Sequence, residues 1–113
     1  MQVTKSDIAA EILGLYQKHG WQLRRVLLTA DSRDQFEPSS PFADVNVSES
    51  SIDAMWFSRP SHDGEAWELR LLSEQQFALF EKFEKDETEE QRDEARNEME
   101  ARMRDYLTKS DPS

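Results

Sequence analysis

The fold is decided by residues 52–72, whose sequence is IDAMWFSRPSHDGEAWELRLL. Two stretches rich in apolar residues flank residues 61–64, and Asp63-Gly64 favours a tight turn with a positive φ. We therefore predict a β-hairpin with strands over 52–60 and 65–72. If residues 61–64 form its loop, the facing pairs are Pro60–Glu65, Ser58–Trp67, Trp56–Leu69 and Ala54–Leu71.

This register divides the hairpin into two different faces, because successive side chains of a strand alternate. One face is apolar and predicts a core. The other face carries Met55 and Phe57 among charged residues. Such a face is too apolar for solvent and too charged for a core. The sequence therefore predicts an interaction surface at Met55 and Phe57.

Working outward, the segment before the hairpin reads as a helix over 5–19 and a strand over 21–30. Thr4 and Asp7 form a capping box, and Gly20 supplies the residue that ends the helix. Residues 31–51 hold two prolines and several serines and acids, which predicts a long, flexible loop. A short edge strand at 45–47 is an alternative within it.

The segment after the hairpin is ambiguous at residues 73–83. Phe77, Phe80 and Phe83 recur every three residues, whereas Phe77, Leu79 and Phe83 fit the period of a strand. Ser73 and Gln76 match a capping box, so we favour a helix over a fourth strand. A second capping box at Thr88 and Gln91 begins a long helix that runs to about residue 107, and residues 109–113 are expected to form a disordered tail.

These elements predict one small α+β domain over residues 1–113. Its antiparallel sheet would have three or four strands. An N-terminal helix and a long acidic C-terminal helix would flank the sheet, mainly on one face.

Composition excludes several classes of protein. The 113 residues include no cysteine, 34% are charged and the net charge is −10. Residues 81–100 alone hold ten acidic and four basic residues. This field repels phosphate backbones, so we expect no nucleic-acid binding except by mimicry. No segment is apolar enough to cross a membrane, and the first residues lack a secretory pattern, so a cytoplasmic protein is expected.

The basic residues are the most informative candidates for a site. From residue 21 to residue 72 every basic residue is an arginine, and arginine suits recognition of carboxylate or phosphate groups. Internal ion pairs with the chain's own acids are the alternative. The candidate ligand-binding residues are Arg24, Arg25, Arg59 and Arg70.

No pattern identifies a reaction. The three glycines match no phosphate-binding loop, and no histidines stand at ligand spacing. We therefore expect no cofactor, no metal and no catalytic residue. The leading expectation is a non-catalytic acidic protein-interaction domain, adaptor- or chaperone-like, that forms a homodimer. The alternative is a binding domain or simple enzyme for a small anionic ligand held by the arginines.

Overall fold

The computed structural model describes residues 4–36, 42 and 45–110. Its helices are α1 (Lys5–Lys18), α2 (Ala30–Arg33) and α3 (Glu89–Ser110). Its strands are β1 (Gln22–Leu28), β2 (Asn46–Glu49), β3 (Ala54–Ser61), β4 (Gly64–Leu71) and β5 (Ala78–Glu84). The predicted tail lies largely outside the described residues, although α3 continues to Ser110.

The sheet has five strands in the order β2-β1-β3-β4-β5 and is mixed. The mixed α+β class is as predicted, but the expectation of three or four antiparallel strands is wrong. Within the segment predicted as a loop, α2 and β2 are formed, and β2 pairs parallel to β1. A parallel neighbour requires a crossover connection, and residues 29–45 supply the length for it.

The central hairpin has the predicted register along its whole length. Ala54 pairs with Leu71, Trp56 with Leu69, and the ladder continues to Ser61 and Gly64. Asp63 adopts φ 68°, the left-handed conformation that a tight turn needs.

Residues 73–83 do not form the favoured helix. The Ser73 hydroxyl accepts a hydrogen bond from Gln75 N–H at 3.2 Å, which makes a local turn in place of a helix cap. The chain then runs along β4 as β5, and Leu79 and Phe83 turn to the same face. The period of two prevails because the edge of β4 offers backbone partners that an isolated short helix lacks.

The helices cover opposite faces of the sheet, and this corrects the expectation that they lie mainly on one. One cluster packs α1 against the sheet, and the second packs α3 against the other face. Met55, Trp56 and Phe57 of β3 are each 0% exposed because consecutive residues enter the two clusters in turn. Two of the three predicted capping boxes are formed, at the start of α1 and before α3.

Asp53 joins three elements just before β3. Its carboxylate accepts hydrogen bonds from Thr29 N–H at 2.8 Å, from Ser32 Oγ at 2.7 Å and from Lys5 Nζ. Burial by itself would raise the pKa of this carboxyl. The three hydrogen bonds and the charge of Lys5 outweigh that effect and hold the pKa of Asp53 below its ordinary value. The start of α1, the cap of α2 and the start of β3 are therefore fastened at one anion.

Candidate functional site

A bulge in β1 places two adjacent arginines on the same face of the sheet. Leu23 pairs with Phe57, but the next paired residue is Arg25, which lies opposite Trp56. Arg24 is thus an extra residue in the ladder, and such a residue interrupts the alternation of faces. The Arg24 guanidinium lies 5.9 Å from the ring centre of Trp67, on the face that α3 covers.

Arg24 and Arg25 border an open cleft of about 260 Å³ between this face and the start of α3. Four arginines line it: Arg24, Arg25, Arg92 and Arg96. The remaining lining residues are two tryptophans, Trp56 and Trp67, and two glutamates, Glu65 and Glu89. Among the lining residues, guanidinium groups therefore outnumber carboxylates.

Arg92 and Arg96 were not among the predicted site residues. They belong to residues 81–100, where ten acidic residues accompany four basic ones, so the net negative charge of the segment concealed them. A signal was present, because Arg96 shares a helix face with the buried Met99 and Met103 at spacings of three and seven. A basic residue at this position of α3 must direct its side chain toward the sheet.

Arg96 is the most enclosed charge of the cleft, at 7% exposed. It donates to Glu89 at 2.6 Å and to Asp93, and its guanidinium lies 4.6 Å from the Trp67 ring centre. Carboxylates and an aromatic face thus compensate its burial. Its hydrogen bonds hold Arg96 as a fixed wall of the cleft.

Arg92 is bound less completely. It donates to Glu65 at 3.0 Å and to the carbonyl of Glu84 at 2.9 Å. Its Nε is buried and has no hydrogen-bond partner within the described part of the chain. The cleft therefore holds more donors than its own acceptors satisfy.

Arg24 and Arg25 differ from this pair because both side chains are exposed and neither forms an ion pair with a described residue. Each guanidinium carries five N–H donors in a fixed planar arrangement that fits a carboxylate or a phosphate. The two arginines are the donors that the fold leaves available at the cleft.

The tryptophans form the apolar part of the cleft. Trp56 is fully buried, and its Nε1 donates to Glu100 at 2.8 Å. Trp67 packs edge-on against Trp56, with ring centres 5.9 Å apart. An organic anion entering the cleft would meet indole carbon beside the guanidinium groups.

The other two predicted ligand residues lie elsewhere, so the four predicted arginines do not converge. Arg59 lies on the α1 face, where it donates to the His19 carbonyl at 3.0 Å and packs 4.6 Å from the ring centre of Trp21. Arg70 is on the same face and donates to the Gln75 carbonyl at 3.2 Å. Both make structural contacts there, because unbulged strands keep alternate residues on alternate faces.

The predicted interaction surface at Met55 and Phe57 is buried, and this expectation is wrong. Both side chains are 0% exposed in the cluster beneath α1. Phe57 stacks on Tyr16 with ring centres 4.1 Å apart. The mixed face is covered by this chain's own first helix, which the hairpin sequence alone does not show.

Tyr16 packs against that cluster through its ring and also forms a polar contact with Glu68. Its hydroxyl donates to the carboxylate of Glu68. Burial, followed by the hydrogen bond and the negative charge of Glu68, raises the pKa of Tyr16 well above its usual range. The phenol therefore acts as a hydrogen-bond donor beneath α1.

Histidine and carboxylate clusters add no second candidate. His62 is at the exposed hairpin tip beside Asp63, and His19 follows the end of α1. In the described ranges, no group of three or more histidine, aspartate or glutamate side chains is placed to hold a metal ion. No helix in those ranges is both long enough and apolar enough to span a bilayer.

The chain matches no protein-family model, no curated protein and no solved structure. Its function must therefore be inferred from the geometry of the cleft.

Proposed function

We propose that this protein binds a small anionic ligand through a carboxylate or phosphate group held by Arg24 and Arg25. One observation carries the proposal: the bulge in β1 presents two consecutive guanidinium groups, neither of them ion-paired with a described residue, at a cleft that Trp67 also lines. An arginine whose role is internal pairing would have a carboxylate beside it, as Arg92 and Arg96 do.

The ligand's chemical class follows from the cleft. Two adjacent arginines favour an oxyanion that accepts several N–H bonds at once. The half-buried Trp67 favours a ligand whose remaining part is apolar or planar. The volume of about 260 Å³ suits a metabolite-sized anion better than a polymer.

The role of the cleft in this proposal is binding. Its lining consists of arginine, tryptophan and glutamate. The guanidinium groups of Arg24 and Arg25 orient and neutralise the anion, and the glutamates hold the other two arginines. Arg24 and Arg25 make the direct contacts, while Arg96, neutralised by Glu89 and Asp93, forms a fixed wall beside them.

The test is calorimetric titration with inorganic phosphate, a phosphomonoester and an aromatic carboxylate, alongside the tryptophan fluorescence of the cleft. We expect saturable binding of at least one probe, with a change in fluorescence. A hydrogen bond to a charged group contributes about 1.5–3 kcal/mol, so Arg24→Ala or Arg25→Ala should weaken binding roughly 10- to 100-fold. Arg33→Ala, which removes an exposed arginine of α2, is the matched control and should leave the affinity unchanged.

The phosphate and carboxylate arms distinguish the two anion classes, because only the correct class should show strong dependence on both arginines. Absence of saturable binding for all three probes would overturn the proposal. Equal affinity of the wild type and the Arg24→Ala/Arg25→Ala variant would do the same.

A second function is favoured by the outer face of α3. Arg92 and Arg96 turn toward the sheet, so they leave the exposed surface of the first helical turns to acids. Glu90, Glu94 and Glu98 are exposed there at spacings of four. This face supports an acidic protein-interaction domain that docks a basic segment of a partner.

A lysine-rich peptide tests that second function. Its binding should weaken with added salt and should be lost in Glu90→Gln/Glu94→Gln. The control Asp31→Asn/Asp34→Asn removes the same charge from exposed positions of α2 and its cap. Equal weakening by both variants would show a response to net charge alone and would contradict docking at α3.

A further inference from the structure

Strand β5 presents an open edge. It lies at the end of the sheet and pairs with β4, its one partner strand within the described ranges. Leu71 N–H donates to the Phe77 carbonyl, and Lys85 N–H donates to the Asp63 carbonyl, each at 2.9 Å. Since hydrogen-bonded pairs alternate in an antiparallel ladder, the even-numbered residues of β5 direct their N–H and C=O groups away from β4. These residues are Ala78, Phe80, Lys82 and Glu84.

The middle of this edge carries an exposed aromatic side chain. Phe80 is 57% exposed, although its ring edge approaches Trp21 with the centres 6.5 Å apart. Among the described residues, the exposed large hydrophobic side chains are Phe80 and Leu15. Edge strands usually avoid this arrangement, because unpaired backbone groups beside an apolar side chain favour addition of another strand.

We propose that β5 pairs antiparallel with β5 of a second copy of this chain, about a two-fold axis at Phe80. The pairing would extend the five-stranded sheet into a continuous sheet across two protomers. It would satisfy the outward N–H and C=O groups of Ala78, Phe80 and Lys82 with about six backbone hydrogen bonds. It would also bury the ring of Phe80 against its own counterpart.

The charge pattern selects this register. A two-fold axis perpendicular to the sheet keeps residues of the same face opposite each other, so one residue must lie opposite itself. Among registers that pair most of β5, centring on Glu81 or on Lys82 places two like charges directly opposite, which is destabilising. Centring on Phe80 places Ala78 opposite Lys82 and Leu79 opposite Glu81, with no like-charged pair.

A second copy fits this edge better than an unrelated strand, because the sequence of β5 is complementary to itself in that register. The net charge of −10 on each copy opposes association at long range. The dimer should therefore tighten as salt screens the repulsion. This surface is separate from Met55 and Phe57, and from the arginine cleft, so the proposal stands independently of ligand binding.

Sedimentation equilibrium of the full chain is the first test. We expect a dimer at high micromolar concentration that tightens with salt, and about tenfold or more weakening in Phe80→Lys. Ser48→Lys places the same charge at an exposed position of β2, the other edge strand, and should leave the dimer intact. Far-ultraviolet circular dichroism verifies that both variants are folded.

Cross-linking tests the register without removing Phe80. The chain has no cysteine, so Ala78→Cys/Lys82→Cys introduces the sole thiols. In the proposed register these two positions face each other across the axis at a Cα separation of about 5.5 Å, which a disulfide spans. The double variant should form covalent dimers on mild oxidation, whereas Ala78→Cys and Lys82→Cys alone should form far fewer.

Three results would overturn the proposal. They are a monomer at high micromolar concentration and high salt, a dimer unaffected by Phe80→Lys, and efficient cross-linking of either single-cysteine variant.

Discussion

Replacing Asp53 with asparagine or alanine tests whether one carboxylate fastens α1, α2 and β3. Asp53 is 13% exposed and accepts from Thr29 N–H, Ser32 Oγ and Lys5 Nζ. Alanine leaves all three donors without this acceptor. Asparagine retains one acceptor oxygen but replaces the other with an amide that cannot accept.

The magnitude follows from these contacts. Each hydrogen bond to a charged acceptor contributes about 1.5–3 kcal/mol, and these contributions add incompletely because the donors share one group. Lys5, at 31% exposed, regains water when its partner is lost. We expect the free energy of unfolding to fall by about 3 kcal/mol in Asp53→Ala and by roughly half of that in Asp53→Asn.

Urea unfolding followed by circular dichroism measures both values, and Asp34→Asn serves as the control because it removes the same charge at an exposed position.

The pH dependence of the free energy of unfolding adds a second readout. The pKa of Asp53 is lowered in the folded state, so its stabilisation is complete above the ordinary value of 3.8 and is lost as pH falls through the folded value. The difference between wild type and Asp53→Asn should therefore narrow in acid. A change below about 0.5 kcal/mol at neutral pH, or a difference that persists unchanged at low pH, would refute the reasoning.

The remaining predictions concern one turn and one phenol. Gly64→Ala should destabilise the fold by about 2 kcal/mol or more, because the added Cβ would lie 2.0 Å from the Phe83 carbonyl oxygen. Gly14→Ala has open space in α1 and should stabilise the fold by up to about 1 kcal/mol. Urea unfolding measures the free energy of unfolding of both variants, and equal effects would contradict this prediction. In a Tyr106→Phe background, Tyr16 should form almost no phenolate while the protein remains folded up to about pH 11. Ultraviolet absorbance follows this titration, and a folded protein that ionises normally near pH 10 would contradict the burial argument.

Local sequence signals were sufficient for the hairpin and for the caps of α1 and α3. The turn at His62 and Asp63 determines which residues of β3 and β4 face each other, and the Thr4 and Thr88 caps determine where α1 and α3 begin. These features depend on residues close together in the chain. Their physical cause can therefore be recognised before any tertiary contact is known.

Features that depend on distant partners were not predictable in the same way. Residues 73–83 have a sequence compatible with two periods, and the edge of β4 decides between them. Met55 and Phe57 present a mixed face until α1 covers it. Tertiary context overrides local preference in both cases.

Two of the four arginines named as candidate ligand residues lie together at the cleft, and two do not. Arg24 and Arg25 converge because of a bulge that no local pattern marks, while Arg59 and Arg70 remain on the opposite face. Arg92 and Arg96, more than sixty residues away in the chain, complete the cleft.

The bulge at Arg24 makes the candidate site separable from the fold. On either side of it, β1 and β3 pair in registers that differ by a single residue. Deleting Arg24 would therefore leave an uninterrupted ladder in which all the remaining side chains of β1 keep their face and their partner on β3. The contact proposed for Arg24 thus depends on one inserted residue, and we expect a chain shortened by that residue to keep the scaffold and lose that contact.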